Sequence, residues 1–300
     1  MHITLRQLEI FRAVAQYGRV TGAAESLHIS QPAASMALSE LEKHLGSLFD
    51  RNQGAGLKMN DSGRALLPKA CELIERAKEL EIQFAVDGSY ESGSLILNAS
   101  STIGNNLLPK ILFQFRETNP GIRIDLEIDN TRAIEQHLLD FKIDLAVVEG
   151  TCLHPDIDVT TWLEDELVVI CSPDHPLANQ KNIPLNSLSD EHWVLREPGS
   201  GTRELFDEMI ATQLDSPKVS MVLNRSEAVK QAVSDGVGIA CISSLAAKST
   251  LDTGHMATIG VTGLNLKRHF YLLTHKKKYK SAVFNQLCRF IIDWKPFKKD

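Results

Sequence analysis

Residues 30–46 read SQPAASMALSELEKHLG, and the way this stretch folds decides the architecture of the N-terminal part of the chain. Ala34, Leu38, Leu41 and Leu45 recur at the period of one helical stripe, which predicts that they pack inward. Ser30 suits the N-cap of such a helix. Pro32 falls in the first turn, where backbone N–H groups have no intrahelical acceptor to lose. The opposite face carries Gln31, Ser35, Met36, Ser39 and Lys43. A solvated face explains these residues when the helix is taken alone, so the neighbouring sequence decides.

Upstream, Leu5, Leu8, Phe11 and Val14 predict a first amphipathic helix that ends at Tyr17 and Gly18. In VTGAAESLHIS, Ala23 and Ala24 allow close helix approach, Leu27 and Ile29 point to the core, and a short turn leads to Ser30. Two short helices joined this way form a helix-turn-helix, whose second helix lies in the major groove with its N-terminal residues at base edges. Short polar side chains and free N–H groups then have a use, because that helix end must approach phosphates closely. Downstream, LFDRNQGAGLKMN predicts a hairpin wing with Gly54 and Gly56 at its tip and Arg51 and Lys58 on its arms. The candidate DNA contacts are Ser30, Gln31, Pro32, Ser35, Met36, Ser39, Arg51 and Lys58.

From Asn60, Leu66, Ala70, Leu73, Ala77, Leu80 and Phe84 alternate four and three apart, a heptad seam that one helix cannot bury alone. The expectation is pairing with a second copy, with a kink at Pro68. DGSYESGS at 87–94 ends the helix and begins a linker. Beyond it, SLILNAS (94–100), IRIDLEI (122–128) and IDLAVVEG (143–150) predict strands between helical stretches at 104–118 and 131–141. ELVVICS (166–172), HWVLRE (192–197), a helix from Thr202, a strand near 218–223, a helix from Ser226 and VGIACIS (237–243) continue an open α/β system.

The chain has 300 residues, 43% of them hydrophobic, enough for two or three domains. It holds no long uninterrupted apolar run, and its first twenty residues are amphipathic, which predicts a cytoplasmic protein with no membrane partner. Cys71, Cys152, Cys171, Cys241 and Cys288 are odd in number and widely spaced, suggesting packing residues and neither a disulfide framework nor a metal site. The net charge of -6 divides as +1 over 1–60, -2 over 61–90, -13 over 91–265 and +8 over 266–300. DNA binding by residues 1–60 would therefore rest on a few placed contacts. The basic run KKKYK at 276–280 reads as a solvated face.

Together these residues resemble a LysR-type transcriptional regulator over nearly the whole chain. The most specific part runs from LRQLEIFRAVAQYGRVTGAAESLHISQPAASMALSE to LEKHLGSLFDRNQGAGLKMNDSGRALL, with weaker echoes in HPLA (175–178), REPGSGTRE (196–204) and SDGVGIACIS (234–243). The resemblance implies an α/β protein with an N-terminal winged helix-turn-helix (1–60), a long linker and dimerisation helix (61–90) and a periplasmic-binding-protein-like effector domain (91–300). Its lobe I would span about 91–162 and 266–300, and its lobe II about 163–265. It also implies a small effector between the lobes, double-stranded promoter DNA, a dimer of dimers and RNA polymerase as partners. The family's DNA contacts carry over to Gln31, Pro32, Ser35 and Arg51. Three positions depart from the family: Met36 stands where many members place a polar contact, His28 where a turn glycine is common, and the Gly54-Ala55-Gly56 tip lacks a basic residue.

ASSTIGNN offers Ser100, Ser101 and Thr102, and EPGSGTRE offers Ser200, Gly201, Thr202 and Arg203, each where a strand ends and a helix begins. Helix capping explains either stretch alone, but ligands of open α/β sheets lie beyond such strand ends, and helix N-termini hold anions. With Glu149 at the end of IDLAVVEG and Asn224 in LNRSEA, these form the candidate effector site. Abundant hydroxyls and few aromatic side chains favour a small oxyanion, sulfite or sulfate first, or a small carboxylate. G-x-S-x-G, H-E-x-x-H and G-x-x-x-x-G-K-[ST] motifs are absent, which argues against an enzyme. An anion-binding protein of periplasmic type without a DNA role is the alternative, disfavoured by the N-terminal ninety residues.

Overall fold

The computed structural model describes residues 2–51, 56–84, 93–214 and 216–296. Three helices, α1 (Leu5–Tyr17), α2 (Val20–Ser26) and α3 (Gln31–Leu45), surround a core that includes Leu8, Phe11, Val14, Ala23, Ala34, Leu38 and Leu41. Leu5 and Leu45, read as members of the two apolar stripes, are exposed instead, because each stripe runs past the end of this small core. Thr4 and Gln7 form a reciprocal capping box on α1, and Gly18 at φ 66 ends it. The turn into α3 passes through His28 at φ 53, a left-handed conformation that glycine adopts at no steric cost. Strands β1 (Phe49–Arg51) and β2 (Leu57–Met59) pair antiparallel, and the Leu57 amide donates to the Gly18 carbonyl at 2.8 Å, pinning the wing to the end of α1. Gly54 and Ala55 of the expected wing tip and most of the linker after Phe84 lie outside the described residues, as does the side chain of Arg51.

Helix α4 (Asp61–Gln83) is capped by Asn60 and runs on through Pro68, whose ring removes only the donor for the Arg64 carbonyl. The heptad reading is corrected in one respect. Ala70 belongs, with Gly63, Leu67, Cys71 and Ile74, to a face buried against the chain's own head. Leu73, Leu80 and Phe84 are left exposed on a second face.

The remainder is an α/β assembly. Strand β3 (Gly93–Ser100), helices α5 (Ser101–Asn106) and α6 (Leu108–Thr118), β4 (Ile122–Asp129), α7 (Thr131–Leu139) and β5 (Leu145–Val148) come first, with β3 parallel to both β4 and β5. The 15-residue strand β6 (Ile157–Cys171) then leaves this unit for the next, where it pairs with β9 (Ala240–Ser243) and β10 (Ala257–Ile259). Strand β7 (His192–Arg196) leads into α8 (Gly201–Phe206), β8 (Lys218–Leu223) lies parallel to β7, and α9 (Ser226–Ser234) and α10 (Ser244–Asp252) cover β9. Strand β11 (Lys267–His275) returns alongside β6 to pair with β5, and α11 (Ala282–Asp293) packs on α6. Two antiparallel strands, β6 and β11, thus join the two lobes. Leu97, Ile103, Ile111, Phe115, Phe270 and Leu287 centre the first lobe's main core, and Trp193, Phe206, Ile210 and Ile239 the second's.

The four cysteines other than Cys288 are buried, and burial pushes the Cys171 thiol up to about 11 and the Cys241 thiol up to about 12. Such thiols stay protonated and unreactive near neutral pH. No helix among the described residues is long and apolar enough to cross a membrane.

Candidate nucleic-acid interface and ligand cleft

The Ser30 hydroxyl accepts from the Ala33 amide at the start of α3, and Gln31 and Pro32 follow it in the exposed first turn. Met36 is 66% exposed on the same end of the helix, the geometry of a side chain free to meet a partner. Ser35 and Ser39, one turn apart, line a groove of about 380 Å³ together with Arg19 and Thr21 from the start of α2 and Gly56 and Leu57 from the wing. Lys58 projects from β2 into solvent. Arg19 and Thr21 were not among the residues expected from the sequence; a basic residue directly before a short helix is the chemistry of a candidate phosphate contact.

The second site lies where the lobes meet. Ser100 ends β3, Thr131 opens α7 and Ser200 precedes α8; all three are buried, and none of their hydroxyls has a partner. Buried hydroxyls are nearly always hydrogen-bonded, so three orphans at neighbouring strand ends make this junction the candidate site for a polar ligand. The register Ser100↔Asp129 puts the ends of β3 and β4 side by side. From the other lobe, the Gly199 carbonyl accepts from the Arg132 amide at 3.1 Å, which sets Ser200 against Thr131. The Ser226 amide at the start of α9 faces the Ser101 hydroxyl at 3.5 Å, and Arg225 donates to the Ile128 carbonyl at 3.3 Å. Glu204, close to Gly150 at this junction, has its carboxyl pushed up by burial and pulled back by the Arg132 guanidinium. Thr102 is buried beside Ser101 at the start of α5.

Four of the expected effector residues are placed differently. Thr202 donates to Glu149 at 3.1 Å and accepts from Arg268 at 3.1 Å, so its hydroxyl is already engaged. Glu149 and Asp165 both pair with Arg268, at 3.3 and 2.8 Å, and Ser243 donates to Asp165 at 2.7 Å. Glu149 is therefore part of a buried inter-lobe network. Arg203 is turned away, donating to Asp207 at 2.8 Å and to the Arg196 carbonyl at 3.0 Å. Asn224 is exposed, whereas Ser226, two residues on, is buried and accepts from Arg196 at 2.9 Å. Gly201 serves packing, since a Cβ there would lie 2.6 Å from the Glu149 carbonyl oxygen. Sequence reasoning missed Thr131, although Asn130-Thr131 repeats the strand-to-helix design of the other two stretches. Arg268 carried no local signal, being 119 residues from Glu149. A cavity of about 730 Å³ beside the hinge strands, lined by Leu163, Leu245 and Phe270, contains none of the residues expected to bind the effector. Among the described residues no group of three or more His, Cys, Asp or Glu side chains could hold a metal.

Comparison with known proteins matches residues 88–295 to the LysR substrate binding domain and residues 5–64 to the bacterial regulatory helix-turn-helix protein, lysR family. The HTH-type transcriptional regulator YeiE of Escherichia coli is 41% identical over 292 residues, 97% of each chain. A full-length OxyR variant from Pseudomonas aeruginosa superposes with a TM-score of 0.73 over 97% of this chain and 98% of its own, at 20% identity. The regulatory domain of CcmR from Synechocystis, in complex with 2-PG, matches 67% of this chain and 96% of its own with a TM-score of 0.61 and 29% identity. A head, linker helix and two-lobed domain in this order, matched along both parts, place the chain in the LysR family of bacterial helix-turn-helix regulators.

Proposed function

We propose that the chain binds promoter DNA through α3 and the wing, pairs with a second copy through α4, and answers to a small anion held between its lobes. Its curated relatives are named as transcriptional regulators rather than enzymes, and the head leaves little room for a periplasmic-type binding protein without a DNA role. The observation that carries the ligand reading is the set of orphaned hydroxyls on Ser100, Thr131 and Ser200. Unpartnered hydroxyls beside the starts of α5, α7 and α8 suit an oxyanion, because hydroxyls donate hydrogen bonds and helix N-termini favour negative charge. A 29%-identical regulatory domain that holds 2-PG supports the same class of ligand. Sulfite and sulfate remain first among the anions to test, followed by small carboxylates.

Calorimetry on the full chain with this panel is the direct experiment. Thr131→Val with Ser200→Ala is expected to weaken the anion that binds best by about thirtyfold, as two hydrogen bonds near 1 kcal/mol each are lost. Equal affinity in the double variant, or no binding by any member, would show that the hydroxyls serve folding alone. Thr202→Val is a poor substitute, because its hydroxyl belongs to the Arg268 network.

Pairing through α4 rests on the exposed Leu73, Leu80 and Phe84, apolar side chains that a lone helix leaves in water. Leu73→Asp with Leu80→Asp would place two charges in that seam, and sedimentation is expected to show a smaller species at micromolar concentration. An unchanged sedimentation coefficient would move the interface elsewhere. A dimer of dimers, acting with RNA polymerase, completes the proposal.

A further inference from the structure

The basic run at 276–280, expected to be a solvated face, is instead the place where the regulatory domain grips the linker helix. Tyr279 donates its hydroxyl proton to Glu79 of α4 at 2.6 Å, and the Arg76 guanidinium lies 4.6 Å above the Tyr279 ring centroid. The same Glu79 carboxylate accepts from the Ala282 amide at 3.3 Å, so a side chain of α4 serves the exposed start of α11. The lysines of the run hold the turn on the first lobe. Lys277 and Lys280 each stand 3.4 Å from Asp156 and Asp158 respectively, and Lys276 bonds to the Pro155 carbonyl. Lys278 pairs with Asp144, whose other oxygen accepts from the Ile96 amide of β3 at 2.7 Å. Nearby, Phe141 packs on the head's apolar cluster and against the His275 ring.

We propose that residues 276–281 form a releasable latch on the linker helix, and that its closing and opening set where the DNA-binding head sits relative to its own regulatory domain. Two features distinguish it from ordinary packing. The Tyr279–Glu79 and Arg76–Tyr279 contacts are polar and half-exposed, and they border a small cavity of about 60 Å³ that Ile82, Leu95 and Phe284 also line. Charge-assisted contacts of this kind are individually weak at a wet surface, so a small free-energy change elsewhere shifts the balance. The latch also sits at the end of β11, the strand whose other end carries Arg268. Nine residues at about 3.3 Å each make β11 roughly 30 Å long between the inter-lobe network and the turn, paired along both parts with one register irregularity against β6 between His269 and Tyr271. A change in lobe angle at Arg268 therefore reaches the turn through one hydrogen-bonded element. The latch goes beyond the anion reading, and its test needs no ligand and no DNA.

The test is hydrogen exchange and small-angle X-ray scattering on the full chain at one fixed concentration. Tyr279→Phe keeps the ring under Arg76 and removes the donated hydrogen bond. It is expected to raise exchange over residues 76–84 by about fivefold while leaving residues 8–14 of the head unchanged. Glu79→Lys is expected to raise it further and to increase the radius of gyration. Glu79→Lys with Tyr279→Glu restores an opposite-charge pair and is expected to return both readouts toward wild type. If exchange over 76–84 is unaltered in both single variants, the turn does not hold α4 and the proposal fails. If exchange rises but the radius of gyration stays at the wild-type value, or the charge swap rescues neither readout, the contact is fixed packing and the proposal also fails.

Discussion

Arg268→Met is expected to cost the regulatory domain about 3–5 kcal/mol of stability, the usual price of leaving buried charges without their counter-ion. The Arg268 side chain is 7% exposed and faces Glu149 at 1% and Asp165 at 2%, so solvent cannot replace it. Its Nε and Nη2 meet Asp165, its Nη2 also meets Glu149, and its Nη1 donates to Thr202. Methionine fills similar volume but donates nothing, leaving two buried carboxylates with only the Thr202 and Ser243 hydroxyls as donors. For a domain of this size such a loss lowers the thermal midpoint by roughly 10 °C. Unfolding followed by circular dichroism checks it, and Arg268→Met combined with Glu149→Gln and Asp165→Asn should recover part of the loss because it removes the stranded charges. A midpoint within about 2 °C of wild type in the single variant would mean that the network is not stabilising in solution. Because Thr202 and Glu149 come from different lobes, the same variant should also loosen the lobes relative to each other.

Ser35→Glu is expected to weaken specific DNA binding on the order of a hundredfold, or about 3 kcal/mol, while leaving stability within about 1 kcal/mol of wild type. Ser35 lines the groove between α3 and the wing and stands outside the apolar cluster of Ala34, Leu38 and Leu41. A carboxylate placed there would face phosphate oxygens across a space that already contains Glu42. Gel-shift titration on DNA from upstream of the chain's own gene, at one stated salt concentration, is the measurement. Arg19→Ala, on the opposite wall of the groove, is expected to lower affinity more evenly across sequences and to flatten the salt dependence, as loss of a phosphate contact does. Wild-type affinity in Ser35→Glu would remove α3 from the interface.

The head was legible in the sequence because its signals are local. Helix period, the Ser30 cap, Pro32 in the first turn and the alanines of α2 all act within a few residues, and the helices they predict are present. Strands with apolar runs were legible for the same reason, as β3, β5 and the end of β6 show. The first part of β6 escaped notice: IDVTTWLED is polar and half-exposed, and only its pairing with β11 makes it a strand. Periodicity also could not say which apolar residues of α4 face the chain's own head and which face outward, since both stripes obey the helical period. The candidate cleft divides in the same way. Hydroxyls at Ser100 and Ser200 follow from residue type beside a strand end. Whether a hydroxyl is free, as on Ser200, or consumed, as on Thr202, depends on Arg268, Glu149 and Asp165 arriving from distant parts of the chain. By itself the sequence determined the elements and the chemistry available at their ends. The tertiary structure alone decided which of those groups remain unpaired and where the basic turn at 276–281 docks, because hydrogen bonds and ion pairs are satisfied across space, by whichever partners packing brings within about 3 Å.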